Sequence, residues 1–114
     1  MQFEERKLLG VLIVKPLERR LDASVIQEFK QHLLNRVEEG ELLIVIDLGE
    51  ILFIDSSGLG GIISILKAVG DNGNVALFGA TPQVATLFRL TRMDRIFPMM
   101  GDAESAATML TGTY

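Results

Sequence analysis

Short apolar runs alternate with stretches of helical periodicity along the chain. The segment GVLIVKP (10–16) is rich in β-branched residues and predicts a strand that ends at its proline, and residues 2–9 give a weaker strand signal. The runs ELLIVIDL (41–48) and VALFG (75–79) are continuously apolar, which is typical of strands covered on both faces. Strands separated by helices indicate an α/β fold with a largely parallel sheet.

The clearest helix lies between the strands predicted at 10–16 and 41–48. Residues 21–40 carry apolar side chains at every fourth position and end at Gly40, a residue that often terminates helices. Ser24 and Gln27 have the spacing of a capping box near its start. This segment predicts an amphipathic helix with one face in the core.

Three further helices are predicted towards the C-terminal end. One spans roughly residues 57–69, where apolar residues recur at intervals of three and four, and GDNGN (70–74) follows it as a turn. Thr81 and Pro82 predict the N-cap and first residue of the next helix. Residues 102–110 predict a last one.

A carboxylate, two serine hydroxyls and three glycines lie together in the segment FIDSSGLGG (53–61). If the strand at 41–48 is central, residues 53–58 lie at the carboxyl edge of the sheet, where such folds place functional sites. One Ser or Asp before a helix is ordinarily a cap. Three in succession, followed by glycines that permit close approach, favour an exposed hydroxyl that can carry a phosphate at a helix start.

Several familiar motifs do not fit this segment. Ile63 occupies the position of the last glycine in G-x-G-x-x-G, and no G-K-[ST] follows for a P-loop. A nucleophile elbow requires G-x-S-x-G, which neither Ser56 nor Ser57 satisfies. The sole histidine, His32, is predicted to be a surface residue of the first helix, so neither a catalytic triad nor a metal site is expected.

Composition narrows the classes of partner. The chain has 114 residues, a formal net charge of −4 and no long basic run, so neither a nucleic acid nor an anionic membrane is expected as a partner. It has no cysteine, which excludes disulfides and thiolate chemistry. The charged start MQFEERK does not resemble a signal peptide, and LLIVI (42–46) is too short to cross a bilayer. We therefore expect a soluble, cytoplasmic protein.

Four segments resemble the STAS domain family of anti-anti-sigma factors. They are LDAS (21–24), the apolar strand ending in Asp-Leu at 47–48, FIDSSGLGG itself, and TRMDRIFP (91–98). The resemblance extends over essentially the whole chain. It implies one STAS domain over residues 1–114, with a four- or five-stranded mixed sheet flanked by about four helices.

The resemblance also implies a bacterial partner-switching role. By position, Ser56 would be phosphorylated by an anti-sigma factor that is itself a serine kinase. The unphosphorylated form would bind that kinase and release a sigma factor, phosphorylation would switch binding off, and a protein-serine phosphatase would reverse the change. The protein would then be a phosphate acceptor and not an enzyme. It would need no cofactor of its own, and it would be a monomer when free.

Seven residues are implied at the partner-binding face. Asp55 would flank the phosphorylated serine, Ser57 would cap the helix, Gly58 and Gly60 would keep the helix start open to the partner, and Asp22 would lie near Ser56. The full set is Asp22, Asp55, Ser56, Ser57, Gly58, Leu59 and Gly60.

Two positions depart from the pattern of the family. Arg19 stands two residues before the Leu-Asp pair, where glycine is frequent, and Arg92-Met93-Asp94 stands where Gly-Leu-Asp is frequent. Both are expected to place positive charge near the edges of the binding face.

Three other readings remain open from the sequence. A STAS domain can also be a non-switching scaffold subunit of a transport or stress-signalling complex, indifferent to substitution at Ser56. A nucleotide-binding module would use the helix start at 57–61 and lose affinity in Gly60→Val. A serine hydrolase would be labelled by fluorophosphonate probes.

Overall fold

Two β-sheets of different size and four helices make up residues 1–112, the part of the chain that the computed structural model describes. In chain order the elements are β1 (Phe3–Leu8), β2 (Val11–Pro16), β3 (Arg20–Leu21), α1 (Ile26–Glu38), β4 (Leu43–Asp47), β5 (Phe53–Ile54), α2 (Ser56–Val69), β6 (Asn74–Phe78), α3 (Pro82–Leu90), β7 (Met99–Met100) and α4 (Ala103–Thr111). Single turns of 3₁₀ helix lie at Gly70–Asn72 and Met93–Arg95.

The strand β4 lies at the centre of the larger sheet, whose order is β1-β2-β4-β6-β7. β1 and β2 form an antiparallel hairpin, and the other neighbouring strands run parallel with helices as crossovers between them. The smaller sheet is the parallel pair of β3 and β5. The predicted α/β fold, a mixed sheet of four or five strands flanked by about four helices, is confirmed, with five strands in the larger sheet and four helices.

The two faces of the larger sheet bury side chains of different size. Because side chains alternate along a strand, neighbouring residues of one strand enter different cores. The larger core packs α1, α2 and α3 against Leu12, Val14, Ile44, Ile46, Val75 and Leu77. The smaller core packs α4, through Ala103, Ala106 and Ala107, against Val11, Ile13, Val45 and Ala76. The continuous apolar runs of β4 and β6 therefore have the predicted cause.

The start of α1 differs from the prediction. The helix begins at Ile26, and Ser24 does not cap it, so the capping box with Gln27 is wrong. The Ser24 hydroxyl and N–H instead donate to the Asp22 carboxylate at 2.6 and 3.0 Å, and the N–H groups of Val25 and Ile26 donate to the Asp22 carbonyl. The Ser24 side chain is thus bonded to Asp22, two residues upstream, and does not accept an N–H group of the helix as a capping box requires.

Other helix ends agree with the sequence. Gly40 follows α1 with a φ of 100°, a conformation that favours glycine, and its N–H donates to the Val37 carbonyl. α3 follows Thr81 as predicted, although the threonine hydroxyl donates to the Ile51 carbonyl at 3.4 Å and not to its own helix. The Asp102 carboxylate caps α4 by accepting the Ser105 N–H at 2.7 Å.

The edge strand β7 has no signal in the sequence. It consists of two residues that pair with the end of β6, and the Leu77 N–H donates to the Pro98 carbonyl just before it. The preceding Phe97 is buried and its ring meets Phe88 of α3 edge-on, with 6.5 Å between centroids. This tertiary contact, and not a β-propensity pattern, sets the position of the strand.

The β1–β2 turn carries a strained leucine. Leu9 and Gly10 form the two-residue loop with φ of 55° and 79°, as in a type I′ turn, which favours Asn-Gly. Leu9 is 58% exposed, so its side chain adds little burial.

We expect Leu9→Asn to raise the free energy of unfolding by about 1 kcal/mol in urea titrations, because asparagine is favoured at this position of the turn. Leu9→Ala keeps the turn strain and should change it little; an equal gain from alanine would contradict the turn explanation.

Candidate functional site

The candidate site lies where the loops after β2 and β4 meet. In the β3–β5 pair, Arg20 lies opposite Phe53 and Leu21 opposite Ile54. The residues that follow this pair on the two chains are Asp22 and Asp55, so the ladder brings the two carboxylates to the start of α2. Residues 53–58 follow the central strand at its carboxyl end, as the sequence predicts.

Asp55 joins the two loops. Its Oδ1 accepts the Gly58 N–H at 2.9 Å, which caps α2, and its Oδ2 accepts the Ala23 N–H at 3.3 Å. Its own N–H donates to the Leu21 carbonyl at 3.4 Å. The prediction that Ser57 caps the helix is therefore wrong. The chain reaches an extended conformation at Asp55, so this side chain and not Ser57 faces the free N–H groups.

The two serines are the first two residues of α2. Ser56 is exposed and Ser57 is half-buried. Within residues 1–112 neither hydroxyl makes a hydrogen bond, and no buried side-chain oxygen or nitrogen is left without a partner there. Ser56 therefore presents a hydroxyl to solvent at the positive end of the helix macrodipole.

Asp22 is held in its ionised form. The hydroxyl of Ser24 and the guanidinium of Arg20, whose Nε lies 3.1 Å from Oδ2, together hold the pKa of Asp22 below its ordinary value. At neutral pH the site thus carries a negative charge on Asp22 next to the loop that binds Asp55. Arg20 offsets part of that charge, and its guanidinium also lies 4.2 Å above the Phe53 ring.

The glycines of the segment have separate roles. Gly58 is buried, and a Cβ there would lie 2.1 Å from the Leu21 carbonyl oxygen. The prediction that Gly58 keeps the helix start open to a partner is therefore wrong, since its lack of a side chain serves an internal contact. At Gly61 the space that a side chain would need is likewise occupied, by the side chain of Ile26. Gly60 is exposed with no atom within 4 Å of a Cβ, so it does border open space. Leu59 packs partly against the larger core.

A small apolar surface borders the site, and sequence reasoning missed it. Leu52 and Phe53, directly before the motif, are 49% and 43% exposed. A shallow depression of about 210 Å³ runs from them to α3, lined by Leu52, Phe53, Ile54, Gln83, Val84 and Leu87. The strand β5 has only two residues, Phe53 and Ile54. It is too short to show in the sequence the alternation that would have marked Phe53 as facing solvent.

The two departures from the family pattern lie in different places. The Arg19 carbonyl accepts the N–H groups of Leu52 and Phe53, so Arg19 borders the site as predicted. Arg92 lies beyond the C-terminal end of α3, whereas the site contacts the other end of that helix through Thr81. A nine-residue helix is about 13 Å long, so the prediction that Arg92 lies at the edge of the same face is not supported.

His32 is more enclosed than the surface residue that the sequence predicts. Its ring stacks on Phe3 at 3.8 Å between centroids, and its Nε2 lies 2.9 Å from a Glu5 carboxylate oxygen. These partners belong to β1, far in sequence from the motif. In the part of the chain that the structure describes, no group of three His, Cys, Asp or Glu residues is arranged to hold a metal ion.

Comparison with known proteins places the chain in a family. Residues 2–106 match the STAS domain, and the protein therefore belongs to the STAS domain family. BtrV of Bordetella bronchiseptica, whose name assigns it provisionally as an anti-sigma factor antagonist, is 28% identical over 108 residues, 94% of this chain and 92% of BtrV. Among the helices of residues 1–112, none is long and apolar enough to span a membrane.

Solved structures confirm the fold. An anti-sigma factor antagonist from Mycobacterium paratuberculosis superposes with a TM-score of 0.86 at 21% identity, over 96% of this chain and 93% of that one. SpoIIAA in its unphosphorylated form gives 0.78 at 18% identity, over 97% of both chains. SpoIIAA of Bacillus in its phosphorylated form gives 0.68 at 17% identity, over 95% and 97%. The predicted membership of the STAS domain family is confirmed by the family match, and the predicted fold by these structures.

The contrast between Gly58 and Gly60 can be tested by the same substitution at both. Gly58→Ala places a methyl group against the Leu21 carbonyl and should lower the free energy of unfolding by about 3 kcal/mol. Gly60→Ala meets open space in a helix and should raise it by roughly 0.5–1 kcal/mol. Chemical denaturation measures both. Equal effects at the two positions would contradict the internal role of Gly58.

The assignment of the helix cap gives a second test. Asp55→Ala removes the acceptor for the Gly58 N–H and should cost about 1 kcal/mol of stability. Ser57→Ala, two residues along the same turn, should change stability by less than about 0.5 kcal/mol because its hydroxyl has no partner within residues 1–112. Thermal unfolding of both variants checks this. A larger loss from Ser57→Ala would restore Ser57 as the cap.

Proposed function

We propose that this protein is an anti-sigma factor antagonist that is switched by phosphorylation of Ser56. Its unphosphorylated form binds an anti-sigma factor that is also a serine kinase, and so releases a sigma factor. A protein-serine phosphatase reverses the modification. The family, the name of BtrV and the existence of SpoIIAA in phosphorylated and unphosphorylated forms support the proposal. The observation that carries it is the exposed, unbonded hydroxyl of Ser56 directly after Asp55.

The partner-binding face comprises the exposed and half-exposed members of the predicted set. Asp22, Asp55, Ser56, Ser57, Leu59 and Gly60 are all at least partly accessible. Gly58 acts indirectly, because its contact with Leu21 fixes the angle at which the first turn of α2 presents Ser56. Leu52 and Phe53 extend this face with apolar surface, which interfaces use at their centres.

The switch works by charge and not by refolding. A phosphate adds about −1.5 to −2 charges beside Asp55 and near Asp22. Because the Ser56 side chain makes no hydrogen bond within residues 1–112, its modification breaks no hydrogen bond there. In the free protein the helix N-terminus offsets part of the repulsion, by roughly 0.3–1 kcal/mol.

The phosphate costs more free energy when a partner covers the site than it does in the free protein. A like-charge clash or an unpaired charge in an interface costs several kcal/mol. Since about 1.4 kcal/mol corresponds to a factor of ten, the affinity falls by roughly two to three orders of magnitude. The phosphate comes from ATP bound by the kinase, so Ser56 is a substrate hydroxyl and the protein acts through binding.

The proposal predicts which variants retain the kinase. In affinity purification from the native cell, a kinase partner should be enriched with wild type and Ser56→Ala and depleted at least tenfold with Ser56→Asp. The purified pair with ATP should add one phosphate to wild type and none to Ser56→Ala, by intact mass. Ser105→Asp is the matched control, because it places the same charge in the first turn of α4, on the other face of the sheet.

The outcomes separate the proposal from its rival. Loss of the kinase with Ser56→Asp and retention with Ser105→Asp support a switch at Ser56. Retention of one constant set of partners by all variants, without phosphate transfer, would favour a non-switching scaffold subunit of a larger complex.

A further inference from the structure

A second exposed surface lies at the end of α3, away from Ser56. It comprises Arg89, Leu90, Arg92, Arg95 and Ile96, which we name the α3 basic surface. The Arg92 N–H donates to the Arg89 carbonyl and the Arg95 N–H to the Arg92 carbonyl, both at 3.2 Å. These consecutive turns keep the three arginine backbones close together.

The positive charge of this surface is not neutralised within the described chain. Residues 82–101 contain three arginines and one acidic residue, Asp94, in a chain of net charge −4. None of the three arginines pairs with a carboxylate within residues 1–112, whereas Arg20 and Arg36 do. Arg89 lies in the last turn of α3, where a positive charge stabilises the helix. That explanation does not extend to Arg92 and Arg95, which lie beyond the helix.

Arg92 occupies a position that disfavours it. It follows the α3 C-cap with φ 61° and ψ 19°, the left-handed conformation that is usually taken by glycine after a helix. Among residues 1–112 the only other residue with positive φ besides glycine is Leu9, in the hairpin turn. A strained residue at a defined position is a reason to look for a function, and this residue carries a side chain that makes no ion pair within residues 1–112.

Apolar side chains are exposed beside the arginines. Leu90 is 75% exposed, more than any other large apolar side chain of the described residues, and Ile96 is 46% exposed. Within the described residues the protein itself leaves the side chains of Leu90 and Ile96 exposed, so another molecule would have to cover them. Arginine with neighbouring apolar side chains is typical of the central contacts of protein interfaces.

We propose that the α3 basic surface docks an acidic segment of a protein partner, with an apolar side chain of that segment covering Leu90 and Ile96. Carboxylates suit the arginines because a guanidinium binds them in a planar, two-pronged geometry. A nucleic acid offers little to the two aliphatic side chains, and two such side chains are few for holding a membrane surface. The docking is independent of phosphorylation, because Arg92 lies at the opposite end of α3 from the loops around Ser56.

The probe for this proposal is a fluorescein-labelled synthetic peptide of glutamates interspersed with leucines. Fluorescence polarisation measures its affinity for the full chain. Arg92→Gly and Arg95→Gln should each weaken binding about five- to tenfold, and added salt should weaken it further. Ser56→Asp should bind like wild type. The matched control is Arg6→Gln on β1, which removes another exposed arginine without an ion pair within residues 1–112, and it should also bind like wild type.

Arg92→Gly also separates binding from folding. Glycine relieves the left-handed strain, so the melting temperature should rise by roughly 4 °C while the peptide affinity falls. A merely structural role of Arg92 would move both quantities in the same direction or leave the affinity unchanged.

Other results would overturn the proposal. One is equal weakening by Arg6→Gln, which would indicate nonspecific attraction to any arginine. A second is equal binding of a peptide with glutamine in place of glutamate. A third is binding of phosphatidylglycerol vesicles or a DNA duplex at Arg92 and Arg95 when the acidic peptide does not bind. Because Ser56→Asp is measured separately against the kinase, failure here leaves the switch proposal intact.

Discussion

The close approach of Gly58 to the Leu21 carbonyl is the constraint on which the geometry of the site depends. A side chain at position 58 would overlap that oxygen, so the first turn of α2 packs directly on β3 only because it has none. The Asp55 carboxylate completes the link by accepting N–H groups from both loops. Together these contacts fix Asp22, Asp55 and the start of α2 relative to one another. Ser56 is thereby held on a rigid support although its own side chain makes no hydrogen bond within residues 1–112.

The sheet provides that support through two cores of different depth. Bulky aliphatic residues of β4 and β6 meet α1 and α2 on one face, and small residues, with Ala76 at the centre, let α4 approach on the other. A one-residue shift of β4 or β6 would move each side chain to the opposite core, where it would pack against the wrong helices, so the register is fixed. The loops at its carboxyl end therefore start from fixed positions. This explains how two strands of only two residues each, β3 and β5, keep a defined pairing.

Charge is distributed over the molecule in two opposite ways. At the start of α2, the ionised carboxylate of Asp22 and the capping side chain of Asp55 lie on the two loops that present the exposed Ser56. At the end of α3, arginines stand without carboxylate partners in residues 1–112 beside exposed aliphatic side chains. The Ser56 loops lie near the start of α3 and Arg92 lies beyond its end, while the apolar depression beside Phe53 runs along the helix as far as Leu87. Under the two proposals, the protein would present one surface whose affinity depends on modification and another whose affinity does not.

The sequence by itself determined the elements whose signals are local. The apolar runs of β2, β4 and β6, the period of α1 and α2, and the motif at 53–61 were all recognisable, because burial on two faces and the 3.6-residue period leave direct marks. Only the tertiary structure decided which side chains do what within the site. Ser24 and Ser57 were predicted to cap helices. In the structure the Ser24 hydroxyl donates to Asp22, and Asp55 caps α2 where Ser57 was expected to. Gly58 looked open and is closed by Leu21, and β7 has no pattern of its own. In each case the deciding partner comes from outside the local pattern or competes with it, and a linear sequence does not show where such partners meet.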